Sequence, residues 1–155
     1  MERKRFVAWV AALSLLVLSS FLTGAGMGHE GHDMKSGELL FSGKIGPWAG
    51  EARLIEKRAY MEQSGVPAKF AAKFAGELHL MMFLTDPMTG KPPAGAAGAV
   101  TVTGPDKAAT KVTLVVMEGH IGVDVTLPQP GEYTFTVEIE SGGRKGSATF
   151  SHTVK

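Results

Sequence analysis

The 155 residues contain no cysteine. That excludes a disulfide framework, a thiolate metal ligand, a cysteine nucleophile and a lipid-modified cysteine. Any soft metal donor must then be a methionine thioether. An excess of one charge is lacking too: 16 Lys+Arg face 15 Asp+Glu. Without a concentrated basic surface, neither nucleic acid nor an anionic membrane is expected as a partner. No internal repeat is visible, and no nucleophile elbow, phosphate loop or pair of carboxylates at catalytic spacing. The chain does not read as an enzyme.

Long apolar runs are limited to one. "MERKRFVAWVAALSLLVLSSFLTGAG" begins with Arg3, Lys4 and Arg5, continues through an apolar stretch from Phe6 to Leu22, and ends in small residues. This is the pattern of a secretory signal peptide, residues 1–25, and the run is short for a spanning helix of about 20 residues. An uncleaved anchor is the alternative. Otherwise the membrane is met only through the signal peptide. Removing three basic residues and one acidic one leaves 13 Lys+Arg against 14 Asp+Glu, a net charge of −1. The predicted location is periplasmic or secreted, where a domain without thiols cannot mispair.

Residues 26–37 form a flexible His/Met-containing segment, with His29, His32 and Met34 in "GMGHEGHDM". Such an arm can wrap an ion without a folded scaffold, as a collector of low specificity. Scission after Gly26 would also put His29 third from a free amine, a square-planar nitrogen set suited to Cu(II) or Ni(II); scission after Ala25 would not.

Residues 38–155 break into short runs separated by Gly and Pro. "ELLFSGKI" (38–45), "ELHLMMFLTD" (77–86), "AVTVTGPDK" (99–107), "KVTLVVMEGHIGVDVTL" (111–127) and "PQPGEYTFTVEIESGGRKGSATFSHTVK" (128–155) predict an all-β, immunoglobulin-like antiparallel sandwich of about seven strands. "EARLIEKRAYMEQSG" (51–65) reads as a strand fading into a turn, and "VPAKFAAKFAG" (66–76) as one helical turn packing Phe70 and Phe74 on the domain. Tyr133 in "PGEYTF" suggests a tyrosine corner.

Two stretches carry candidate ligands. If Glu118-Gly119 are the turn of the 111–127 hairpin, the pairs Val116/Ile121, Leu114/Val123 and Val112/Val125 form its core face. Met117/His120, Val115/Gly122, Thr113/Asp124 and Lys111/Thr126 point the other way. In 77–86, Leu78, Leu80, Met82 and Leu84 make the core face, while Glu77, His79, Met81, Phe83 and Thr85 share the opposite one. His79, Met81, Met117 and His120 therefore lie outside the sandwich core. Imidazole with thioether suits copper; calcium or magnesium would want an oxygen cage, and zinc cysteines or three histidines. His152 reads as structural and Met88 as a loop residue.

At these residues the chain resembles the YtkA-like group of exported β-sandwich domains, through "ELHLMMFLTDPMTGKP", "VTVTGPD" and "MEGHIGVDVTLPQPGEYTFTVEI". The last stretch is also similar to one in periplasmic copper-binding iron-uptake accessory proteins. There the histidine is a copper ligand, which the resemblance carries over to His120. The expectation is a metal-binding protein, with copper as the ion, that buffers it or hands it to an envelope transport or efflux protein. The alternative is a metal-free immunoglobulin-like interaction or assembly module of a cell-envelope complex.

Overall fold

The computed structural model describes residues 36–155; the predicted signal peptide and the candidate ligands His29, His32 and Met34 lie outside the described residues. Alternation of apolar and polar residues, cut by Gly and Pro, produces strands here as expected, but nine of them rather than about seven. They are β1 (Glu38–Ile45), β2 (Trp48–Glu56), β3 (Leu78–Thr85), β4 (Ala97–Thr103), β5 (Ala109–Thr113), β6 (Val115–Met117), β7 (His120–Val125), β8 (Gly131–Ser141) and β9 (Arg144–Val154). They make two antiparallel sheets, of order β1-β2-β3-β7-β6 and β5-β4-β8-β9. Between the sheets lies a core built on Trp48, Leu80, Met82, Val100, Phe135 and Val137, each fully buried. The β8–β9 turn is Gly142-Gly143, both at positive φ (57° and 74°), as the primed turn of a two-residue hairpin requires. Tyr133 closes its corner: its hydroxyl accepts from Gln129 N–H (2.9 Å) and donates to Gln129 C=O (3.0 Å).

Two expectations are corrected. The 51–65 stretch does not fade into a turn: β2 runs to Glu56 and helix α1 follows at Lys57–Gln63. "KRAYMEQ" is made largely of good helix formers, and its first N–H is held by Glu77 C=O at 2.8 Å. Beyond it, α2 (Ala68–Ala71) and a 3-10 turn (Ala72–Phe74) form the expected helical segment, yet Phe70 stays half exposed. Nor is 111–127 one hairpin. β5 pairs with β4 in the other sheet, Val112 opposite Val100, and the chain crosses over at Leu114, whose N–H bonds Gly98 C=O at 2.9 Å. The pairs Leu114/Val123, Val112/Val125, Thr113/Asp124 and Lys111/Thr126 therefore do not form. Met117/His120, Val116/Ile121 and Val115/Gly122 do, around the Glu118-Gly119 turn. Val116, expected in the core, is 62% exposed because β6 is a three-residue strand at the edge of its sheet.

A candidate metal centre under helix α1

β3 and β7 are neighbours, so the two ligand-bearing stretches lie side by side. Their register sets His79 opposite Asp124 and Met81 opposite Gly122. The face that carries them points away from the sandwich core, as the alternation predicts, but it is not open. α1 lies over the histidines, and His79, Met81 and His120 are only 1%, 1% and 4% exposed. Tyr60 of α1 lies flat on the His79 ring, 4.5 Å between centroids and 18° between planes. It meets His120 edge-on, at 5.8 Å and 82°, and its hydroxyl donates to Met117 Sδ at 3.8 Å. Phe83 lies against His120, at 5.7 Å.

The pair converges at its ring nitrogens: Nε2 of His79 and Nε2 of His120 are 3.2 Å apart, the rings crossing at 89°. Space for this comes from Gly122, where a Cβ would stand 2.8 Å from His79 Nε2 and 3.1 Å from His120 Cδ2. The other nitrogen of each ring faces an oxygen. His79 Nδ1 lies 2.9 Å from Asp124 Oδ1, and His120 Nδ1 lies 3.3 Å from Glu118 C=O. A carboxylate or carbonyl oxygen only accepts, so an Nδ1 that bonds it carries the proton, and a ring in its uncharged form then turns a lone pair inward at Nε2. Two lone pairs so placed repel unless a proton or a cation lies between them. The 3.2 Å separation is one that a single first-row ion, held at about 2.0 Å by each nitrogen, could span, so the two residues fit such an ion. Protonated Nδ1 bonded to oxygen is the arrangement that orients imidazole ligands at metal sites.

Asp124 is itself fixed. Lys57 of α1 donates to Asp124 Oδ2 at 2.7 Å and to Glu77 Oε2 at 3.0 Å, and lies 4.3 Å from the Phe74 ring centre. Partial burial pushes the Asp124 carboxyl upward, but the hydrogen bonds and charges of Lys57 and His79 outweigh it and hold the group below the usual carboxylate range. Lys57 is shifted up: burial opposes this, and its two carboxylate partners prevail. Burial, and then the neighbouring His79, lower the pKa of His120 from its ordinary value of 6.5.

A pH prediction follows for the metal-free protein. The unfolded chain protonates His120 near 6.5, whereas the folded chain resists until a lower pH. The unfolded state thus binds more protons in that window, and stability falls as pH drops below about 6.5. Urea midpoints measured from pH 8 to 5 should show this decline, and His120→Gln should flatten it.

Of the sequence-predicted ligands, His79, His120 and Met117 gather around Tyr60; Met81 is buried on the same face, across from Gly122. Among the described residues, no group of three or more His, Cys, Asp or Glu could hold a metal ion, so a third donor here would be a thioether. His152 is remote and pairs with Glu38 at 3.4 Å, and Met88 is 89% exposed in its loop. Sequence reasoning missed Tyr60, Lys57 and the role of Asp124. The spacing of Lys57 and Tyr60, three apart on a helix, would have linked them had α1 been recognised.

No protein-family model and no curated protein sequence matches the chain. Its fold is similar to that of solved structures. A copper-bound variant of Campylobacter jejuni P19 superposes with a TM-score of 0.56 at 15% identity, over 77% of this chain and 97% of that one. A copper-bound variant of FetP from uropathogenic Escherichia coli gives 0.53 at 16%, over 77% and 90%. A DUF4426 family protein from Pseudomonas aeruginosa PAO1 gives 0.52 at 13%, over 74% and 94%. The β-sandwich is thus one on which copper-bound proteins are built. Among the described residues no helix is long and apolar enough to cross a membrane.

Proposed function

We propose that the chain is an exported copper-binding protein. It holds one Cu(I) between His79 and His120, with the Met117 thioether as third donor and Met81 as a second sulphur on the same face. It then buffers the ion or hands it to a transport or efflux partner, with His29, His32 and Met34 as a collecting arm. One observation carries the reading: two buried imidazoles whose outer nitrogens are committed to oxygen and whose inner nitrogens stand 3.2 Å apart. Two imidazoles and thioether sulphur, with no thiolate, are a donor set for Cu(I). The copper-bound state of P19 and FetP on the same fold supports the choice of ion. No chemistry beyond binding is needed, so the protein is read as a carrier and not as an enzyme.

The test is titration of untagged protein with Cu(I) under reducing conditions. One equivalent should bind, survive deletion of residues 27–34, and be lost in the double variant Met117→Ala/His120→Ala. Absence of binding at micromolar copper would overturn the reading. It would leave the interaction module, which has one observation in its favour: the edge strand β6 exposes Val115 (54%) and Val116 (62%).

A further inference from the structure

Tyr60 meets His79, His120 and Met117, yet nothing in the donor set requires it. Its position has three consequences. The ring is nearly parallel to His79 and edge-on to His120, so it walls off one side of the point between the two Nε2 atoms. The phenol hydroxyl donates to Met117 Sδ at 3.8 Å, so the one polar atom of the side chain is engaged with the sulphur. Finally, α1 is clamped over the site by the ion pairs of Lys57 with Asp124 and Glu77, so the ring is held there by more than its own contacts.

Cu(I) is satisfied by two or three soft or imidazole donors, whereas Cu(II) seeks a tetragonal set completed by nitrogen, oxygen or water. The Tyr60 ring against both histidines, with Phe83 against His120, lines the pair with aromatic surface that offers no nitrogen or oxygen donor except a phenol hydroxyl already bonded to Met117 Sδ. A buried site also penalises the doubly charged ion more than the singly charged one. Resting on the copper reading above, we propose that Tyr60 is the specificity-determining residue of this site, closing the position that Cu(II) would need and so restricting the pair to Cu(I).

The experiment compares wild type with Tyr60→Phe, Tyr60→Ala and Tyr60→Gln, the last keeping a helix-forming side chain of useful length without a ring. Affinities for Cu(I) and Cu(II) are measured by competition with chromophoric chelators. Opening the apolar wall beside the pair should raise Cu(II) affinity relative to Cu(I) by about tenfold in Tyr60→Ala and Tyr60→Gln. Tyr60→Phe keeps the ring and should retain the wild-type ratio. A readout without metal runs alongside: acylation of His79 and His120 by diethyl pyrocarbonate should accelerate in the two ringless variants and not in Tyr60→Phe. Copper that binds with the same Cu(II)-to-Cu(I) ratio in all four proteins overturns the role of Tyr60 alone. Copper that binds to none of them overturns the copper reading, and the proposal with it. Thermal midpoints identify any ringless variant that has unfolded, in which case the other one decides.

Discussion

Replacing His120 with alanine is expected to weaken Cu(I) binding by about a thousandfold or more, and His79→Ala by a similar factor. Removing a partner that only orients a ligand typically costs about 10–100-fold, and removing the ligand itself should cost more. The same logic grades a third variant. Asp124→Asn keeps the shape beside His79 but replaces the accepting carboxylate with an amide that can also donate. The lock on the His79 Nδ1 proton, made through a 2.9 Å contact, is thereby lost. Its cost should fall in the outer range, about 10–100-fold. Competition titrations that rank His79→Ala and His120→Ala well below Asp124→Asn, and Asp124→Asn below wild type, would fit this account. Equal affinities in all of them would show that copper sits elsewhere, for instance on the 27–34 arm.

The second large effect concerns a residue without a side chain. Gly122→Ala would place a methyl group 2.8 Å from His79 Nε2, 2.8 Å from the Leu80 carbonyl oxygen and 3.1 Å from His120 Cδ2. The carbonyl belongs to the neighbouring strand β3 and cannot withdraw without breaking the ladder. The methyl must therefore push the imidazoles apart or bend β7. Overpacking of this kind costs about 1–3 kcal/mol, and the widened pair should lose its copper even where the domain still folds. Urea unfolding and copper titration on the same sample would report both effects. Wild-type stability and affinity in Gly122→Ala would mean that the rings are not held as close as 3.2 Å in solution.

The site was partly legible in the sequence because strand faces are. Strict alternation in 78–84 and a two-residue turn at Glu118-Gly119 set which side chains leave the core, and Met117 does oppose His120. Strand order was not legible. β3 and β7 are far apart in the chain, and only their pairing puts His79 beside His120 and Asp124. Considered along its own strand, Asp124 stands too far from His120 to interact; across the sheet it bonds His79. α1 escaped notice because seven residues without an apolar stripe give no periodic signal, and its Tyr60 and Lys57 act on groups distant in sequence. The crossover at Leu114 was hidden because β5 and β6 read as one β-run, their separate sheets being decided by long-range pairing.

X-ray absorption at the copper edge on protein loaded with one equivalent of Cu(I) tests the central claim most directly. The account predicts two nitrogen neighbours at about 2.0 Å and sulphur at about 2.3 Å, with the imidazole scattering lost in the double variant His79→Ala/His120→Ala. A shell made of oxygen, or a spectrum unchanged by that double substitution, would contradict it.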